Sequence, residues 1–319
     1  MDNVFDLPTT CDVHHSFFAQ RCDSVKTHTS SHRILARRSR PWCTVTDSTS
    51  MQDFFLTSLL NPRLVLTFQI DEIQSKAFAK FYMLVGKSFA DDFPSPDLED
   101  MMTEDCRGKV LDVGPGAGFQ IKRFRGAHQR GQIEKIYGVE PGTEMHSELR
   151  SAAVQTFGAD ATKIYKVLTS GAQPDALVPT LAKEDMLTAE GTFDTIVSIR
   201  ALCGIPQPRE TADLFYRLLK PGGRIFFFEH VANNCDPKRG GTKVAWLLQN
   251  IYMWMGWRFW NGGCELTRDT AKNLQNAAAF DGGWADVKLY DRNPAGCVPE
   301  IYGYMQKKVA AGQSIGITV

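Results

Sequence analysis

The sequence predicts an α/β domain built on a doubly wound sheet of parallel strands, and two stretches carry that expectation. Lys109 to Gly118 reads Lys-Val-Leu-Asp-Val-Gly-Pro-Gly-Ala-Gly, an apolar run that breaks into glycines at alternate positions before an amphipathic segment with Ile121 and Phe124. Strand, glycine turn and helix are the first unit of a nucleotide-binding sheet. Further on, Leu218-Leu219-Lys220-Pro221-Gly222-Gly223 closes a helical pattern and launches the apolar run Arg224 to Val231.

The chain has 319 residues and no net charge, so it carries no electrostatic footprint for nucleic acid. Eight cysteines are scattered without a Cys-x-x-Cys pair, as in reduced, cytosol-facing proteins. Residues 1–50 are rich in Ser, Thr, His and Arg and lack an apolar period, so they read as a disordered extension. His14, His15, His28 and His32 lie near Cys11, Cys22 and Cys43, but not at zinc-ligand spacings. Phe54 to Gln69 is apolar but is cut by Asn61-Pro62-Arg63, which makes it too short to span a bilayer. It reads as two amphipathic pieces that either pack on the domain or rest on a membrane surface. Ile73, Ala77, Phe78, Phe81, Leu84, Val85 and Phe89 then repeat at helical spacing.

Beyond the glycine turn, Ile133 to Val139 reads as a second strand ending at Glu140. A carboxylate there, some 20 residues past the loop, is placed to accept hydrogen bonds from ribose hydroxyls. Its alternative is a first-turn acid of the next helix. Ile164 to Leu168 is the third strand, and Gln173 follows it. Phe193 to Ile199 is the fourth, rich in strong β-formers. Arg200 and Cys203 lie beyond its carboxyl end, where doubly wound sheets bind ligands. Arg200 either orients a ligand or pairs with an acid, and Cys203 is either a nucleophile or a buried, inert thiol. Thr211 to Leu219 is helical, and the fifth strand, Arg224 to Val231, ends with Glu229 and His230 on opposite faces. Four of the six tryptophans then crowd into Trp246 to Trp260. That segment is a helix buried on the sheet, a lid over an apolar acceptor, or a membrane-interface belt. Thr267 is the expected N-cap of a helix to Ala279, and 286–290 and 299–305 are the last strands.

The spacing Gly114-x-Gly116-x-Gly118, with Asp112 two residues upstream and Phe119 where a dinucleotide site needs its third glycine, resembles the S-adenosylmethionine (SAM) loop of class I methyltransferases. The Leu-Lys-Pro-Gly-Gly turn stands at the distance that family shows. Phe228-Glu229-His230-Val231-Ala232, Asn261-Gly262, Gly263 to Arg268 and Ile301-Tyr302-Gly303-Tyr304 narrow the resemblance to the membrane-associated thiol S-methyltransferases, over about 105–308. The resemblance implies a seven-stranded, mostly parallel Rossmann-like sheet with an antiparallel last strand. It also implies SAM as donor, and the residues themselves divide the rest into an N-terminal amphipathic cap (51–104), an aromatic lid segment (238–262) and a polar tail (309–319).

The cofactor-binding candidates are Asp112, Gly114, Pro115, Gly116, Gly118, Glu140, Gln173 and Arg200. The acceptor-pocket candidates are Cys203, Trp254, Trp257 and Tyr302. His230 is the candidate base, against the alternative of a hydrogen-bonded core histidine, and no metal site is assigned. The expected reaction is methylation of a small apolar acceptor, thiol sulfur ahead of the phenols or carboxylates methylated in secondary metabolism. A non-catalytic SAM-fold binding protein is the competing class. The expected location is cytoplasmic, either free or peripheral on an intracellular membrane.

Overall fold

A computed structural model describes residues 70–309 except 95, 189 and 190; the expectations for 1–69 and for the tail beyond 309 lie outside the described residues. Seven strands form one sheet: β1 (Gly108–Val113), β2 (Ile133–Val139), β3 (Tyr165–Leu168), β4 (Phe193–Ile199), β5 (Leu219–His230), β6 (Asp286–Arg292) and β7 (Glu300–Gln306). Their order is β3-β2-β1-β4-β5-β7-β6. Strands β1 to β5 pair in parallel, and β7 runs antiparallel to both of its neighbours. Chain order reverses between β1 and β4, so the carboxyl ends of these two strands frame the crevice where such sheets take ligands.

The central strands are buried on both faces, which is why they read as continuous apolar runs. On one face Val110, Ile136, Val197, Phe226 and Phe228 meet Leu98 and Met102 of α2 (Asp97–Asp105) and Leu149, Ala153 and Phe157 of α3 (His146–Phe157). On the other, Leu111, Val113, Tyr137, Ile196 and Phe227 meet α4 (Pro174–Lys183), α5 (Pro208–Leu218) and α7 (Thr270–Ala277). Full burial of one such phenylalanine stabilises the fold by roughly 2–3 kcal/mol. The helix α1 (Ile70–Asp91) belongs to neither layer. Its Ala79 and Tyr82 pack with Ala117, Phe119 and Met145 above the glycine turn.

Several boundaries differ from the sequence expectation, three of them for clear physical reasons. Strand β5 begins at Leu219, which pairs with Phe193, whereas Arg224 pairs with Thr195. Lys220 to Gly223 therefore bulge opposite Asp194 inside one strand rather than preceding it. Helix α5 starts at Pro208, whose missing N–H is harmless in a first turn. The N-cap of α7 is Asp269, which accepts the Lys272 N–H at 3.1 Å, in place of Thr267.

Candidate active site

The glycine turn is held from three directions. The Gly114 N–H donates to the Val139 carbonyl at 3.0 Å and the Gly118 N–H to the Pro115 carbonyl at 2.9 Å. The Gly116 N–H donates to Glu140 Oε2 at 2.9 Å, while Glu140 Oε1 accepts the Gly142 N–H at 2.8 Å. The loop and the acid ending β2 thus form one unit. Gly116 has φ +57°, and a Cβ there would stand 2.7 Å from the Tyr82 ring. Gly118 has φ +83°, and its Cβ would stand 2.8 Å from the Ala152 methyl. Both positions need glycine for conformation and for close approach.

Burial is the largest influence on both acids. It pushes the Asp112 pKa up to about 7, against the hydrogen bond that the Tyr165 hydroxyl donates at 2.7 Å. Burial likewise raises Glu140, opposed by the N–H bonds from Gly142 and Gly116. Tyr82 was missed in the sequence, although it follows Phe78 by four residues and stacks on it at 5.7 Å. It also meets Phe119 edge to face at 5.6 Å, and burial lifts its hydroxyl pKa to about 12. An aromatic lid from α1 therefore covers the loop.

The remaining candidates divide. Gln173 sits half-buried just ahead of α4, beyond the end of β3, with its amide alongside Gly171. Arg200, expected to bind the cofactor, is held in an ion-pair network at the carboxyl end of β4. Its Nε and Nη2 donate to Glu300 Oε1 at 2.9 and 2.7 Å, its Nη2 to Asp92 Oδ2 at 2.9 Å, and its Nη1 to the Phe89 carbonyl at 2.9 Å. Arg292 completes the square on Asp92 and Glu300 at 2.5 and 2.6 Å. Burial opposes the Asp92 charge, but the Arg292 hydrogen bond and both guanidinium charges outweigh it and hold its pKa low. This quartet staples the end of α1 to β7. Glu229 was also underrated. It is fully buried, accepts from the Ser198 hydroxyl at 2.7 Å, and gathers the Ala201, Leu202 and Cys203 N–H groups at 3.1, 3.1 and 3.3 Å.

His230 is not a free base pointing into an open pocket. Its Nδ1 lies 3.6 Å from Cys203 Sγ and 3.4 Å from Cys264 Sγ, and its Nε2 lies 3.6 Å from Glu300 Oε1. A hydrogen bond from Cys203 is the first influence holding the Cys264 thiol well below its usual range, with His230 and Trp257 adding to it. For His230, burial opposes the charge, and the Cys264 sulfur outweighs it and raises the pKa.

The aromatic segment turns largely outward. Helix α6 (Lys243–Trp254) is fixed to the end of β5 by the buried Gln249, which donates to the Val231 carbonyl at 3.0 Å and accepts the Asn233 N–H at 2.8 Å. That leaves Trp254 86% exposed, so it does not line an acceptor pocket. Trp257, past the Gly256 break, stacks on Tyr252 at 5.8 Å and packs against Cys203 and Cys264. Tyr302 also lies away from this cluster. It shares a strand face with Glu300 but sits two residues deeper, donating to Asp97 at 3.1 Å and stacking on Tyr290.

The sheet order, glycine turn and β2 acid are those of the class I SAM-dependent methyltransferase fold. Residues 87–281 match the family described as a methyltransferase domain, and the chain belongs to it. Among its relatives are the Homo sapiens thiol S-methyltransferase TMT1B, 39% identical over 95 residues (30% of this chain, 36% of the relative), and the Homo sapiens thiol S-methyltransferase TMT1A, 30% identical over 128 residues (37% and 46%). These matches span between about a third and a half of the relatives' length. An O-methyltransferase family protein from Burkholderia thailandensis shares the fold, with TM-score 0.50 at 12% identity over 82% of this chain and 70% of that one.

Proposed function

We propose that the chain transfers the methyl group of SAM to the sulfur of a small apolar thiol. The observation that carries this reading is the Gly116–Glu140 hydrogen bond, which joins the β1 turn to the β2 acid. The similarity to two thiol S-methyltransferases supports sulfur as the acceptor atom. In this reading Gly114, Pro115, Gly116 and Gly118 let the donor approach the backbone, and Glu140 receives the ribose hydroxyls. Asp112 stiffens the turn through Tyr165, Gln173 borders the adenine, and Tyr82 closes over the donor.

Methyl transfer is an in-line displacement. The thiolate lone pair forms the new carbon–sulfur bond, and the pair of the broken bond stays on the sulfur of S-adenosylhomocysteine. The thiol proton leaves for solvent. At pH 7.4, ionising a thiol of pKa about 8.5 costs roughly 1.5 kcal/mol, against roughly 3.5 for a phenol of pKa about 10. Sulfur therefore suits a site whose histidine is already engaged by the chain's own groups. Mass spectrometry of products from thiol, phenol and carboxylate panels tests the proposal. Methyl thioethers are expected, and methylation confined to phenols or carboxylates overturns the sulfur assignment.

Contact with a membrane surface belongs to the same reading. Val244, Leu247, Leu248, Ile251, Trp254 and Met255 form an exposed apolar ridge on and just beyond α6. Among the described residues no helix is long and apolar enough to cross a membrane, so this ridge would lie on the interface.

A further inference from the structure

Cys203, His230 and Cys264 come from the β4–α5 loop, the end of β5 and the turn after the aromatic segment. Among the described residues they are a group whose ligand atoms all fall within 4.8 Å of one another. A tetrahedral zinc ion with bonds of about 2.3 Å to sulfur and about 2.05 Å to nitrogen sets its sulfur and nitrogen ligands about 3.5 Å apart. The two observed separations, 3.4 and 3.6 Å, bracket that value. Both involve the same ring nitrogen, Nδ1, so one ion can meet all three atoms.

The frame around the cluster is built to keep it. The Glu265 N–H donates to the Cys203 carbonyl at 3.0 Å, locking the two cysteine segments side by side. Glu229 fixes the Cys203 N–H at 3.3 Å. Glu300, opposite His230 in the β5–β7 register, sits at Nε2, the position from which a carboxylate orients a metal-bound imidazole. The buried Trp257 indole packs on the cluster that contains Cys264, where its N–H can support a metal-bound sulfur. Two thiolates also neutralise a divalent cation, which suits cysteines only 2% and 6% exposed.

We propose that Cys203, His230 and Cys264 bind one zinc ion and leave its fourth position for an exogenous sulfur. The neighbouring groups do not fill that position. Glu300 is on the far side of the imidazole, and Met253 Sδ already accepts the Leu266 N–H at 3.4 Å. The second half of the proposal rests on the thiol-acceptor reading above: an acceptor thiol bound to the metal gives its proton to solvent and presents a thiolate for methylation. The Arg268 guanidinium, bonded to the Leu202 and Ile205 carbonyls at 2.5 and 2.6 Å, stands near enough to offset the added negative charge.

The test uses the full chain under reducing conditions, titrated with zinc alone and then with cobalt as a spectroscopic substitute. One equivalent of zinc is expected, with sulfur-to-cobalt charge-transfer bands and the intense visible absorption of a tetrahedral site. Cys203→Ser and Cys264→Ser should each weaken zinc binding by more than about 100-fold, beyond what changes outside the ligand shell usually cost. Cys297→Ser should leave it unchanged. Zinc binding that survives the double variant Cys203→Ser/Cys264→Ser overturns the site, as does unaltered protein that binds S-adenosylhomocysteine but no metal. A small alkyl thiol should intensify the cobalt charge-transfer band; an unchanged spectrum with thiol in excess overturns the open sulfur position. S-adenosylhomocysteine binding, measured on the same samples, reports separately on the donor reading.

Discussion

Replacing Glu140 by Gln isolates the contact on which the donor site depends. The carboxylate accepts two backbone N–H groups, from Gly116 at 2.9 Å and Gly142 at 2.8 Å. Hydrogen bonds to a charged acceptor contribute roughly 1.5–3 kcal/mol each. An amide keeps one acceptor oxygen and turns an N–H donor toward the other backbone N–H. One bond is lost, and the survivor falls to roughly half strength without the charge. The expected loss is about 2–4.5 kcal/mol of loop order. If binding must restore that order, the affinity for S-adenosylhomocysteine falls by roughly 30- to 2000-fold. Isothermal titration calorimetry at constant pH reads this directly, with circular dichroism to establish that the variant is folded. An affinity within threefold of the unaltered protein would refute the reasoning, because the loop would then hold its shape without the acid.

Other outcomes follow from the same coordinates. Asp112→Asn should stabilise the protein at neutral pH. A carboxyl whose folded pKa is lifted from 3.8 to about 7 contributes stability that is fully present below pH 3.8 and lost as pH rises through 7, up to about 4 kcal/mol. Denaturation of both proteins should show a stability difference that grows between about pH 4 and 7 and then levels; a difference flat with pH contradicts the burial argument. Gly118→Ala should cost at least about 2 kcal/mol more than Gly131→Ala, since both have positive φ but only Gly118 would press a methyl against Ala152. Chemical denaturation compares them, and equal losses would remove the packing contribution. Arg200→Met should lose about 3 kcal/mol of stability by leaving Glu300 and Asp92 undercompensated. Its S-adenosylhomocysteine affinity should fall less than that of Glu140→Gln; the reverse order would return Arg200 to the donor site. Trp254→Ser, at a side chain 86% exposed, should leave stability within about 0.5 kcal/mol and reduce sedimentation with lipid vesicles. Unchanged sedimentation would remove Trp254 from the membrane reading.

The sheet was legible in the sequence where pattern is local. Strands β2 and β4 run over the expected residues, because each is a buried apolar run bounded by turn chemistry. The glycine turn and Glu140 announce themselves by residue type and by their separation of about 20 residues. What escaped is set by tertiary packing. The outward turn of Trp254 follows from Gln249, a polar residue that fixes the inner face of α6 through two hydrogen bonds no periodicity weighs. Arg200 was placed at the right strand end, but Asp92 and Glu300, about 100 residues away on either side, decide what it does. Cys203, His230 and Cys264 are separated by 27 and 34 residues, so no short motif links them, and only the closing of β5 against the following loop brings them together. Tyr82 had a signal in its spacing from Phe78, yet its purpose appears only when the glycine turn beneath it is in place.

Calorimetric titration of the unaltered chain with S-adenosylhomocysteine bears most directly on whether one adenosyl group is gripped between the β1 turn and the β2 acid. A single site with micromolar affinity is the predicted result. Folded protein that gives no binding heat at any ligand concentration, at more than one temperature, would contradict the account at its root.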